Sequence, residues 1–150
     1  MKRKVIREVV RSINPNIKVK FHKGVNESDI LNKTVYLNFP KDWYDEETHD
    51  HFNELNKTYR FNQIISPQAF VVLHEIGHIE SVENFKPHSV NFLLSKYVRE
   101  IENIMETDLP YRLQARRYVN LKLERKANRW ALNYIKANPK VVAKLEKAFE

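Results

Sequence analysis

Two hydrophobic rhythms alternate along the chain. Near the start, Val5, Ile6, Val9, Val10 and Ile13 recur at helical spacing, which predicts an amphipathic helix over residues 2 to 13 that closes near Pro15. In "IKVKFHKG" the period falls to two, with Ile17, Val19 and Phe21 on one face and Lys18, Lys20 and His22 on the other. That alternation predicts a half-buried strand stopped by Gly24. "KTVYLNF" repeats it with Val35, Leu37 and Phe39 and ends at Pro40, so these two segments are expected to pair in a small sheet. Residues 41 to 58 are polar and acidic and read as an exposed connection with a single helical turn, and "YRFNQII" reads as a short third strand.

Ser66 and Pro67 then supply an N-cap and a proline at the first helical position. The helix they open is expected to run to about Val82. After Pro87, "HSVNFLLSKYVREIENIM" predicts another helix. Asp108 and Pro110 signal a further start, opening a helix of about 28 residues, "YRLQARRYVNLKLERKANRWALNYIKAN", that Pro139 ends before a short amphipathic tail helix. No repeat, low-complexity tract or linker interrupts this order, which predicts one α+β domain over residues 1 to 150. A chain of this size buries about two-thirds of its unfolded surface without staples.

Composition narrows the chemistry. There is no cysteine, so disulfide scaffolds and thiolate metal sites are excluded, and any metal must rest on His, Asp or Glu. The basic start, "MKRKVIREVV", lacks the apolar stretch and cleavage site of a signal peptide, and the apolar runs fall far short of the ~20 residues of a membrane span. A cytoplasmic protein with no membrane partner is expected. The net charge of +7, from 26 Lys and Arg against 19 Asp and Glu, leaves an acidic protein or nucleic acid open as partners without indicating either.

The stretch "VVLHEIGHIE", residues 71 to 80, sets three ionisable groups inside an apolar helix. His74 and His78, four apart, lie one turn above each other on one face, where both imidazoles can reach one ion. Glu75 follows the first histidine, beside the metal position, where it can hold and deprotonate a water. This is H-E-x-x-H, two ligands plus a general base. Gly77 costs about 1 kcal/mol relative to Ala in a helix interior, which points to a close approach by something else at that position. As a purely structural core, two histidines and a glutamate would be costly to bury unpartnered.

A site of this kind needs a third protein ligand and an open position. Ser81 and Asn84 stand where a metzincin would have its glycine and third histidine, which excludes that class. A glutamate some way downstream remains: Glu100, Glu102 and Glu106, or Glu124 in "LERKANRWALNYI". Glu124 is favoured. It is the only acidic residue between Asp108 and Glu146, among seven Lys and Arg from Arg112 to Arg129. Its neighbours Ala127, Asn128 and Ala131 form a narrow face suited to packing on another helix, whereas Glu100 to Glu106 read as an ordinary solvated helix end.

With these segments in view, "HEIGH" at 74 to 78 and "ERKANRWA" at 124 to 131 resemble the paired motifs of the ImmA/IrrE metallopeptidases of bacteria, phages and mobile elements, H-E-Φ-G-H (Φ apolar) and E-x-x-A-N-x-aromatic-A. The resemblance implies zinc (Zn2+) on His74, His78 and Glu124 with Glu75 as base. It also implies a zincin-like plan, a small antiparallel or mixed sheet packed on the active-site helix, with a helical C-terminal half. A protein substrate such as a phage or mobile-element repressor is implied in the same way.

For peptide hydrolysis an oxyanion donor is also needed, and His88, Tyr97, Tyr111, Tyr118 and Arg112 are all candidates. The free sheet edge before the motif is expected to hold substrate as an added strand. "HDH" at 49 to 51 reads as solvated, and the spacing of His88 is poor for a SprT-like third ligand. The basic run from Arg112 to Arg129 spreads round its helix with few aromatics and reads as solvated, while Trp130 and Tyr134 read as core packing. The rival reading is a non-catalytic DNA-binding or phage structural protein that keeps the fold.

Overall fold

The computed structural model describes residues 1–150. Its elements are α1 (Arg3–Ile13), β1 (Lys18–Phe21), β2 (Glu27–Asp29), β3 (Thr34–Leu37), α2 (Glu46–Tyr59), a 3-10 turn (Phe61–Gln63), α3 (Pro67–Glu80), α4 (Pro87–Met105), α5 (Tyr111–Val119), α6 (Lys122–Ala137) and α7 (Pro139–Glu146). The result is α+β with a helical majority: seven helices and one small three-stranded mixed sheet.

The expected pair of strands forms, and it is parallel, with Val19 opposite Val35 and Phe21 opposite Leu37. The chain leaves β1, lays down β2 on the far side, and returns as β3 through the middle, giving the order β1-β3-β2. β2 and β3 are antiparallel, with Ser28 opposite Val35. Their turn is held by Asp29, which accepts from the backbone and side chain of Asn32, and it passes through Lys33 at φ 47°. Val35 and Leu37 of the central strand are fully buried against the helices.

Four expectations are corrected. Residues 46 to 59 are not a connection but a full helix. Phe52 and Leu55 are buried at helical spacing, Asp45 caps the Thr48 N–H at 2.8 Å, and the acidic first turn that made the segment look solvated complements the helix N-terminus. "YRFNQII" forms no strand. Arg60 turns left-handed at φ 56°, and Phe61 folds inward onto Phe70, ring centres 4.2 Å apart. The third strand is "ESD" instead, which carries no apolar alternation.

The long C-terminal helix is really two. At the break, the Asn120 side chain donates to the Arg116 carbonyl at 2.8 Å, the acceptor its own backbone N–H would use in a continuous helix, and Leu121 is extended. Asp108 caps nothing; Pro110 precedes α5 directly, and Gln114 pins the loop by donating to the Leu109 carbonyl at 2.9 Å. Ser66 does cap α3, accepting from the Ala69 N–H.

α3 runs through the centre with an apolar surroundings almost all round, and its most extensive neighbour is α6. Their axes come close because Gly77 faces Ala127. A methyl group at Gly77 would lie 2.7 Å from the Ala127 carbonyl oxygen and 3.2 Å from a ring carbon of Trp130. Trp130 stacks on Tyr134 at 5.0 Å and both pack against the core, as expected. On the other side α1 and α7 close the core together: the Lys2 N–H donates to the Ala148 carbonyl at 2.7 Å and Lys144 pairs with Glu8 at 3.0 Å.

Helix propensity alone favours Gly77→Ala by about 1 kcal/mol. The blocking atom is backbone, so overpacking is expected to win. Urea unfolding should show a net loss of about 1–3 kcal/mol. A variant as stable as wild type, or more so, would show that α3 and α6 have room at this point.

Candidate metal centre

α3 delivers His74, Glu75 and His78, and the break before α6 places Glu124 in that helix's first turn, facing them. All four side chains are buried, Glu124 almost completely at 1% exposure. His74 Nε2 lies 3.0 Å from Glu124 Oε2, and His78 Nε2 lies 3.2 Å from Glu124 Oε1. The candidate ligand atoms of the three residues all fall within 4.8 Å of one another. Ligands about 2.0–2.1 Å from a tetrahedral ion stand roughly 3.3 Å apart, so this donor set fits a small divalent cation.

The orientation of His74 comes from α6 as well. Its Nδ1 lies 2.8 Å from Asn128 Oδ1, so the ring donates there and leaves Nε2 free as a ligand. Asn128 is fully buried, and its amide nitrogen has no partner. The pairing of Asn128 with His74 has a sequence signal in hindsight: Glu124 and Asn128 are four apart, one turn, as are the histidines they meet.

Glu75 is tied to the sheet. Ser28 of β2, its one proton shared between two acceptors, bonds Glu75 Oε2 and lies 2.7 Å from the Glu75 backbone carbonyl. Glu124 is tied to α4 and α5. Tyr97 donates to Glu124 Oε1, and the Tyr118 hydroxyl lies 3.1 Å from that of Tyr97. Burial and the nearby Glu124 charge push both phenols well above their ordinary range, so both stay neutral donors.

The other candidates fall elsewhere. Glu102 and Glu106 are exposed, and the half-buried Glu100 pairs with Lys96 on the same helix. His88 and Arg112 are exposed and do not line the cleft described below. The basic run is mostly exposed, as expected, though Arg116 reaches back to the buried Glu54 of α2 at 3.3 Å.

A cleft of about 240 Å³ opens beside the centre, lined by Asn26, Trp43, His51, Tyr111 and Tyr118 together with His74 and Glu75. His51 corrects the reading of "HDH" as solvated. His49 is exposed, but His51 is half-buried, with its ring centre 5.6 Å from that of Tyr118. Burial depresses its pKa to about 4, against the pull of Glu124. The signal was helical spacing: His51, Glu54 and Leu55 share the inward face of α2. A second hollow of about 240 Å³, on the far side of His51, Tyr111 and Tyr118, is lined by Ile101, Ile104 and Met105.

No family model, curated protein or solved structure matches this chain.

Without metal, His74 and Glu124 act as an ion pair. Burial opposes the charged imidazole, but the Glu124 carboxylate outweighs it and the His74 pKa is pushed up to about 9. Burial likewise opposes the Glu124 carboxylate, and His78 and His74 hold its pKa well below the ordinary 4.5. The stability His74 contributes is therefore present below its ordinary 6.5 and lost as pH rises through about 9. The Glu124 contribution is present above 4.5 and lost as pH falls through its depressed value.

Two measurements follow. A divalent ion must displace the proton on His74, so calorimetric zinc titration at pH 7 in buffers of different ionisation enthalpy should report at least about one proton released per ion. Release near zero would show that His74 is not a ligand. Asn128→Ala should weaken zinc binding by about 10–100-fold, read by competition with a chromophoric chelator, while the fold persists.

Proposed function

We propose that this chain is a zinc-dependent peptidase of the zincin type, related to the ImmA/IrrE metallopeptidases, acting on a specific regulatory protein such as a repressor. The observation that carries the reading is the meeting of His74 and His78 with Glu124 from a separate helix, with Glu75 beside them on the cleft. The sheet edge next to α3 and the resemblance of the two motifs support it further. The absence of cysteine and the N,N,O donor set suit zinc.

His74, His78 and Glu124 would hold the ion, which when bound would lower the pKa of water and polarise a carbonyl. Glu75 is the general base. Ser28 engages Glu75 Oε2, which leaves Oε1 as the oxygen that accepts the proton. As the water oxygen bonds to the peptide carbonyl carbon, its proton passes to Glu75 and the C=O π pair moves onto oxygen. On collapse the C=O bond re-forms, the C–N bond breaks, and Glu75 returns the proton to the departing nitrogen. The peptide lies along the cleft, with the hollow at Ile101, Ile104 and Met105 receiving an apolar neighbour of the cleaved bond. Tyr97 donates to the Glu124 carboxylate and Tyr118 backs Tyr97, which together orient the carboxylate.

Purified wild type should carry about one zinc per chain, Glu124→Ala much less, and Glu75→Gln the wild-type amount. Proteome-wide detection of new N-termini after incubation with a cell extract should show one or a few cleavages for wild type. The same sites should be cut about 10²–10⁴-fold more slowly by Glu75→Gln. Undiminished cleavage in Glu75→Gln, or a wild-type chain that takes up no zinc, would sink the reading.

A further inference from the structure

We infer that His51 is the hydrogen-bond donor to the oxygen that becomes negative when the peptide carbonyl is attacked. The inference rests on the peptidase reading and assigns the one role that reading leaves empty. Most donors near the centre are already engaged. A carboxylate can only accept, so the Tyr97 proton is committed to Glu124 Oε1. The Tyr97 oxygen is then the acceptor for the Tyr118 proton, 3.1 Å away, and both phenols are spent. The Ser28 proton is engaged by Glu75, and the Asn128 amide is sealed in the core behind His74.

Asn26 donates to the Asn38 carbonyl and Thr48 to the Trp43 carbonyl, which leaves Trp43, Tyr111 and His51 on the cleft wall, and the Trp43 indole packs among Phe39, Tyr44 and Phe52. Tyr111 is 41% exposed, out at the mouth. His51 sits deeper, wedged between Phe52 and Tyr118 with ring centres at 6.2 and 5.6 Å. Neither of its ring nitrogens bonds to protein, and neither is fully buried. Its desolvated ring is neutral at pH 7, so it offers an N–H without adding a third positive charge beside an ion. α2 holds it by burying Phe52 and Leu55 and by the Glu54–Arg116 pair to α5, so the imidazole is positioned before substrate arrives.

The test uses zinc-loaded protein and two probes. One is a phosphonamidate dipeptide, whose tetrahedral phosphoryl oxygens mimic the attacked carbonyl; the other is a small hydroxamate, which binds the ion without a tetrahedral centre. Calorimetry is expected to show tight phosphonamidate binding to wild type and about 10²-fold weaker binding to His51→Phe. Hydroxamate affinity and zinc content should stay unchanged. His51→Gln, which keeps an N–H donor, should recover part of the loss, and Tyr111→Phe should bind as wild type does.

Phosphonamidate affinity unchanged in His51→Phe would overturn the assignment, as would a loss in Tyr111→Phe instead. A parallel loss of hydroxamate or zinc in His51→Phe would also overturn it, marking the residue as structural. Wild type that binds zinc and hydroxamate but no phosphonamidate would overturn the peptidase reading itself, a result distinct from failure of His51 alone.

Discussion

The close approach of α3 and α6 governs everything else in the molecule. Glycine at 77 and alanine at 127 remove side chains from both sides of the contact, and backbone meets backbone. That contact sets Glu124 and Asn128 at the height of His78 and His74, one turn apart on each helix, so a single packing event supplies a carboxylate and an orienting amide together. Burying a carboxylate to 1% exposure is unfavourable unless cationic or metal partners face it, and both imidazoles do. The apolar surroundings of α3 fix the helix, and the two small residues fix the distance.

Around this axis, three separate layers attend to three separate jobs. The sheet reaches Glu75 through Ser28, a residue of an edge strand that owes its place to backbone pairing with β3. α4 and α5 reach Glu124 through Tyr97 and Tyr118, closing the back of the site. α2 brings His51 to the cleft, and the Glu54–Arg116 pair ties it to α5, so the front and back walls are joined. His74, Glu75 and His78 share α3, and the sheet, the α4–α5 pair and α2 reach the centre from different sides.

What could be read in the sequence divides along physical lines. α1, β1 and β3 were legible because each carries its own period, and α3, buried almost all round, because Ser66 and Pro67 mark its start. The residues of the candidate centre were legible because a metal site asks for particular residue types at helical spacing, and Glu124 stood out as a lone acid in a basic run. α2 was hidden by an acidic first turn that is favourable for a helix yet looks like a loop. β2 was hidden because an edge strand held by backbone bonds needs no apolar alternation. The break at Asn120 lacked Gly or Pro, the usual punctuation, and came from an amide side chain taking a backbone acceptor. His51 and Ser28 were missed for the same reason: their places depend on those two unread elements.

The pairing of Lys2 with Ala148 and the packing of α1 on α7 bear on how the molecule is made. The histidines are synthesised 50 and 46 residues before Glu124, and the core under α1 is closed by α7. Contacts this distant in sequence form late and slowly. On the ribosome, then, α3 emerges as an apolar helix without its lid, and its two imidazoles emerge without their counter-charge. The centre is assembled only when α6 docks on α3, so the counter-charge and the closure of the core arrive together.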